Sequence, residues 1–183
     1  MEIIQPGTIL IADPFLKDPN FLRTVIFLCE HKDEGSFGFV INRKLEYVVG
    51  DLINDLQGCN FPVFYGGPVQ QNTIHFLHRC PGLITGGEEI ANNIFWGGEF
   101  DELVSLLQND KLAQTDVRLF LGYSGWGEGQ LQDELKEKTW LTTFSSDKLV
   151  FMHDTNAIWK YAVKQLGSEY EQLINYPIDP QLN

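Results

Sequence analysis

Basic residues are scarce: 13 Lys and Arg against 25 Asp and Glu leave the 183-residue chain with a formal charge of −12. Counterion release on DNA or RNA needs clustered cations against phosphate, so direct nucleic-acid binding is not expected. The same acidic surplus opposes an anionic membrane leaflet, and no apolar run approaches the roughly 18 residues a spanning helix needs. Membrane association is therefore not expected either. Cysteine is also sparse. Cys29, Cys59 and Cys80 are odd in number and form no CxxC pair, which excludes a disulfide framework and a structural zinc knot. The first residues, Met1 to Gly7, lack a basic segment leading into an apolar one, so no secretory signal is read and the cytoplasm is the expected location. GxxxxGK[ST], GxGxxG, HExxH and DxDxDG patterns are all missing. No cofactor and no metal is expected.

What is present is ordinary for a globular chain: 43% apolar and 21% charged residues. A chain of this length buries roughly 70% of its unfolded surface and needs no staple. No repeat, low-complexity stretch or linker divides it, so residues 1–183 read as a single domain. Residues 175–183 carry Pro177 and Pro180 without apolar periodicity, and an irregular tail is expected there.

Short β-branched runs between turn residues predict strands over Thr8 to Ala12, Thr24 to Cys29, Gly38 to Ile41, Val63 to Tyr65, Ile74 to Leu77, Val117 to Leu121, Thr139 to Phe144 and Lys148 to Met152. Thr24 to Cys29 and Val117 to Leu121 are apolar on both faces, as strands covered on both sides or closed into a barrel are. Helices are predicted from Asp51 as N-cap to Gly58, over about Phe100 to Leu107, from about Gly129 to Lys138, and from after Asp154 and Thr155 to a stop at Gly167. This irregular interleaving lacks the rhythm of a doubly wound sheet. A mixed α+β fold fits it better.

Gly122-Tyr123-Ser124-Gly125-Trp126-Gly127 is the most conspicuous element, read as a strand-to-helix turn. As a hydrolase elbow it fails, because Trp126 stands where the second glycine belongs and the only histidine downstream is His153, between Met152 and Asp154 at a predicted strand end. Its glycines then serve positive φ or close backbone approach, while Tyr123 and Trp126 pack or line a shallow pocket. Strand alternation puts Cys29 and His31 on one face with Glu30 opposite, a pairing that could supply a thiolate and its base only at a bent strand end. His75, His78 and Cys80 are close in sequence, but His75 and His78 point to opposite faces of a strand, which opposes a metal site. Tyr65-Gly66-Gly67-Pro68-Val69 and Ile94-Phe95-Trp96-Gly97-Gly98-Glu99 read as connectors.

Taken in order, these pieces resemble the YqgE/AlgH family of bacterial proteins, whose function is poorly defined. The resemblance runs from Gly7-Thr8-Ile9-Leu10-Ile11-Ala12 through Cys29-Glu30-His31, Ile41-Asn42-Arg43, Gly66-Gly67-Pro68-Val69, Leu77-His78 and Gly122-Tyr123-Ser124-Gly125-Trp126 to Gly129-Gln130-Leu131 and Trp140-Leu141. Lys44 stands where a proline is usual and Ser124 where alanine is common. The resemblance implies a curved mixed sheet forming a pseudo-barrel flanked by several helices. One family branch is linked to transcriptional control, which this chain's charge makes indirect.

The sequence thus points to a non-catalytic regulatory or binding protein with a protein or small metabolite as partner. Its candidate surface comprises Cys29, His31, Asn42, Gly66, Gly67, Pro68, His78, Tyr123, Trp126 and Gln130. The alternative is an enzyme using Cys29 as nucleophile with His31 or His78 as base. The two differ in whether these side chains converge on one open cleft.

Overall fold

In the computed structural model, which describes residues 4–176, the first two strands have no exposed face. In β1 (Thr8–Ala12) every residue is buried, because Ile9 and Ile11 face one apolar cluster and Leu10 and Ala12 another. β2 (Val25–Lys32) repeats the pattern through Val25 and Phe27 on one side and Ile26 and Leu28 on the other. This is why both runs are apolar without alternation.

Eight more strands complete the sheet: β3 (Gly35–Val40), β4 (Lys44–Val48), β5 (Pro62–Tyr65), β6 (Val69–His78), β7 (Glu88–Ala91), β8 (Ile94–Trp96), β9 (Val117–Gly127) and β10 (Trp140–Phe144). Their order is β10-β1-β2-β3-β9-β6-β8-β7, with β5 joining β4 to β9. All pairings are antiparallel except β5 with β9. The sheet curls into a half-barrel, and α+β is the fold class. At its open side Asn92 Nδ2 donates to the Ser145 carbonyl at 2.9 Å, bridging the β7–β8 turn to the end of β10.

Helices cover the faces. α1 (Phe100–Gln108) buries Leu103 and Leu107 against Val117, Leu119 and Leu121 of β9. α2 (Gln130–Lys136) lays Leu131 on Leu10, Ile26, Leu28 and Val40. α3 (Asp147–Val150) and α4 (Thr155–Gln165) send Leu149, Val150, Ile158, Trp159, Ala162 and Val163 into the cluster holding Phe27, Phe39 and Phe120. α4 starts at Asp154, whose carboxylate accepts from Asn156 N, and ends before Gly167, as its sequence predicts.

Four expectations need correction. Residues 148–152 are not a strand: Ser146 Oγ accepts from Leu149 N at 3.2 Å and starts α3, whose apolar run is buried as one helical turn. The segment from Asp51 to Gly58 is not one helix but two 3-10 turns, Val49–Asp51 and Asn54–Leu56. There the Asp51 carboxylate turns back to Val48 N, and Gly50 N bonds to Cys59 O, closing a loop instead of continuing a helix too short to persist alone. Ile94 to Trp96 is a strand instead of a connector, and Gly122 to Gly127 is not a strand-to-helix turn. β9 runs through it, bending at Gly122 (φ 69°), and the turn comes later at Gly129 (φ 72°). Of the expected tail, Asn175 ends a 3-10 segment (Ser168–Asn175) and Tyr176 O accepts from Arg23, while 177–183 lie outside the described residues.

Candidate functional site

Four strands consecutive in the sheet order, β3-β9-β6-β8, deliver four half-buried rings to one place. Phe37 comes from β3, His75 from β6, Trp96 from β8 and Tyr123 from β9. Phe37 and Trp96 have centroids 4.8 Å apart at 61°, and Phe37 and Tyr123 6.0 Å apart at 77°. His75 lies 6.4 Å from Trp96 and 6.0 Å from Tyr123. These rings line an open groove of about 560 Å³ whose rim carries Glu30, Lys32 and Glu34. Lys32 Nζ and the Glu30 carboxylate form an ion pair at that rim.

The register explains the convergence. Phe37 pairs with Gly125, where an added Cβ would fall 3.1 Å from the Tyr123 ring. A glycine there leaves the groove open between the rings. His75 reaches the groove from a half-buried position, and burial pushes its imidazole pKa down. Its Nε2 is buried and has no hydrogen-bond partner among the described residues.

The residues singled out from sequence do not line one cleft. Tyr123 and Trp126 border the groove, but only Tyr123 presents its ring there in contact with Phe37. Trp126 is 6% exposed, and its Nε1 donates to Glu134 Oε2 at 2.8 Å; Trp140 Nε1 donates to the same oxygen at 2.7 Å. Gln130 Nε2 donates to Glu134 Oε1 and Gln130 Oε1 accepts from Gly127 N, so this group fastens α2 to the sheet. Asn42 ties β2 to β3, accepting from Val25 N and donating to Arg23 O. Gly66 and Gly67 press against the β9 backbone at Gly122, Tyr123 and Ser124, too closely for any side chain, and Pro68 alone is exposed.

Cys29 and His31 both border a small pocket of about 210 Å³ with Glu30 and Glu88, but a feature the alternation rule does not foresee turns their side chains apart. Register shifts between Leu28 and Glu30, so Cys29 occupies a β-bulge. Cys29 joins the cluster of Val25, Phe27 and Phe39, Glu30 follows toward the groove, and His31 turns to the α2 face, its Nδ1 2.7 Å from Ser36 Oγ and its Nε2 3.4 Å from Gln132. The Cys29 thiol donates to Phe27 O, and burial first, then the charges of Glu88 and Glu30, push its pKa well up. A thiol held protonated is a poor nucleophile. His78 is fully buried, with Nε2 3.0 Å from Gly97 O and Nδ1 accepting from Cys80 N at 3.3 Å. Ser124 is also fully buried, its hydroxyl donating to Gly66 O.

His75 and His78 take opposite faces of β6 as expected: His75 meets Phe39, and His78 stacks on Phe95. Among the described residues no three His, Cys, Asp or Glu side chains are grouped to hold a metal, and no helix is long and apolar enough to cross a membrane. One buried cation escapes sequence reading. Arg118 on β9 is 3% exposed, donates to Ile41 O at 2.7 Å and Met152 O at 2.6 Å, and lies over the Phe64 ring. Burial lowers its pKa to about 9. It joins the end of β3 to the end of α3 and does not line the aromatic groove.

Phe37, His75 and Trp96 line the groove but lie outside the candidate surface expected from sequence, where His75 is weighed only as a metal ligand and Trp96 only as part of a connector. Phe37 sits between Gly35 and Gly38, and Trp96 precedes Gly97-Gly98, so an aromatic beside glycines was the available signal.

Comparison with known proteins agrees with this architecture. The AlgH-like family profile matches residues 9–171. The chain is 40% identical over 182 residues to a UPF0301 protein of Chlorobaculum tepidum, covering 100% of this chain and 97% of that protein. To a UPF0301 protein of Chlorobium luteolum it is 41% identical over 180 residues, covering 98% and 95%. The solution structure of the AlgH protein from Pseudomonas aeruginosa superposes with a TM-score of 0.73 at 27% identity, over 97% of this chain and 98% of that one. A crystal structure of a Corynebacterium diphtheriae protein reaches 0.81 at 19% identity over 96% and 94%, a likeness of fold. With one profile spanning nearly every element from β1 to the 3-10 segment after α4, and relatives matched along at least 95% of their length, the chain belongs to the AlgH-like (UPF0301) family.

Proposed function

We propose that the protein is a non-catalytic binding protein whose ligand site is the groove of Phe37, His75, Trp96 and Tyr123. The observation that carries this reading is the delivery of four half-exposed rings by four strands to one open groove. Aromatic side chains are costly to leave in water, and four gathered at one concavity form an apolar recognition surface. The nucleophile candidates support the same reading from the other side: Cys29 and Ser124 are in the core, and His78 is engaged at both ring nitrogens. A regulatory role would act through what the groove binds, since a charge of −12 opposes direct contact with DNA.

The test is a two-dimensional NMR fragment screen on the intact chain. Hits should perturb the Trp96 indole and the amides of Phe37 and Tyr123, lose affinity in Tyr123→Ala, and keep it in Cys29→Ala. Hits that cluster elsewhere, or depend on Cys29 and leave the groove unperturbed, would overturn the reading.

A further inference from the structure

The groove has a charge preference written into its walls and rim. Phe37 meets Trp96 at 61° and Tyr123 at 77°, so the rings do not stack and their π faces turn at steep angles to one another. An aromatic face carries the negative part of the ring quadrupole and attracts a cation within about 6 Å. Carboxylates reinforce that field: Glu30 and Glu34 both line the groove. Lys32 registers it, because its ammonium pKa is raised by the hydrogen bond and charge of Glu30 and further by Glu88 and Glu34. The fourth ring does not oppose it, since burial lowers the pKa of His75 and favours neutral imidazole.

We infer that the groove binds a small organic cation, an alkylated ammonium head, with Phe37, Trp96 and Tyr123 against its methyl groups and Glu30 and Glu34 balancing its charge. This rests on the binding reading above and names its ligand class. A strongly hydrated ammonium or metal ion would give up its water to reach apolar walls, whereas an alkylated cation is poorly hydrated and gains from them. The volume of about 560 Å³ suits a small molecule. Lys32 is exposed and reaches the rim on a flexible stem, so it competes with an incoming cation for Glu30. That competition sets a sign that few other ligand classes share: removing a positive charge should tighten binding.

Choline and its neutral isostere dimethylbutanol, with tert-butyl in place of trimethylammonium, are titrated into the intact chain while the Trp96 indole and the Phe37 and Tyr123 amides are followed. Choline should bind about tenfold more tightly than the isostere. Tyr123→Ala should cost about tenfold and Glu34→Gln about threefold, while Lys32→Gln should strengthen binding by a similar factor. Glu34 and Lys32 are exposed, so those two variants test the idea independently of folding. Equal affinity for the two probes, or weaker choline binding in Lys32→Gln, overturns the assignment. Silence of choline in a groove that still takes neutral fragments sinks the cation alone; silence of every probe sinks the binding reading with it.

Discussion

Both ring nitrogens of His78 are engaged in a way that suits only the neutral imidazole. Nε2–H donates to Gly97 O at 3.0 Å, and Nδ1 accepts from Cys80 N–H at 3.3 Å. A proton added to Nδ1 would abolish that acceptor and place a charge in a site with no exposure. Burial lowers the pKa, partly offset by the bond to Gly97. The unfolded chain therefore takes up the proton at a higher pH than the folded one. Stability from this residue is complete above the ordinary value of 6.5 and falls as pH drops below it toward the folded pKa. His75, also lowered by burial, acts in the same window and direction. Urea unfolding of the wild type should show lower stability at pH 5.5 than at pH 7.5, with the loss smaller in His78→Gln. An identical loss in that variant would show that His78 does not carry the effect.

At the scale of elements, the glycines that mark this family in sequence turn out to serve one crossing of two chain segments. Gly66 and Gly67 follow β5, Gly122 lies at the bend of β9, and the backbones run so close that a Cβ at Gly122 would lie 2.6 Å from Gly67 O and 2.7 Å from Val69 O. Gly122 also holds φ at 69°, a region that costs a side-chain-bearing residue strain. The strands themselves were legible because β-branched runs such as Val25 to Cys29 match the pleat. The continuation of β9 was not, since Gly122-Tyr123-Ser124-Gly125 has the composition of a turn and its extended form depends on pairing with β3, far away in sequence. Short α3 failed for the matching reason: four residues with Leu149 and Val150 buried read as a strand until the Ser146 cap is seen. Gly122→Ala should destabilise the protein by about 3 kcal/mol in urea unfolding, combining overpacking with φ strain. Gly129→Ala is the control: it has a similar φ of 72° but meets nothing within 4 Å, so it should cost only the strain. Equal losses in both would remove the crossing as the cause.

At the scale of the whole molecule, the same strands serve more than one core. β9 puts Phe120 into the cluster with Phe27 and Phe39, and Val117, Leu119 and Leu121 into the one under α1. β6 divides Leu77 and Phe76 between those two clusters, and β1 and β2 each divide their residues between the first and the one under α2. Fold class was legible in sequence because doubly apolar strands require cover on both faces. The groove was not, because Phe37, His75, Trp96 and Tyr123 are brought together only by sheet order, and the Cys29 bulge reversed the facing of His31. Shared strands leave no seam along which one cluster could melt alone, so unfolding should be a single cooperative event. The tryptophans make this testable. Trp126 and Trp140 belong to the cluster under α2, Trp159 to the central one and Trp96 packs against it, while the cluster under α1 contains none. Fluorescence therefore reports two clusters and far-UV circular dichroism reports the whole chain, so the two urea transitions should superimpose. Ellipticity lost at lower urea than fluorescence would mean that α1 and its cluster detach first, and that β9 does not couple the halves of the half-barrel.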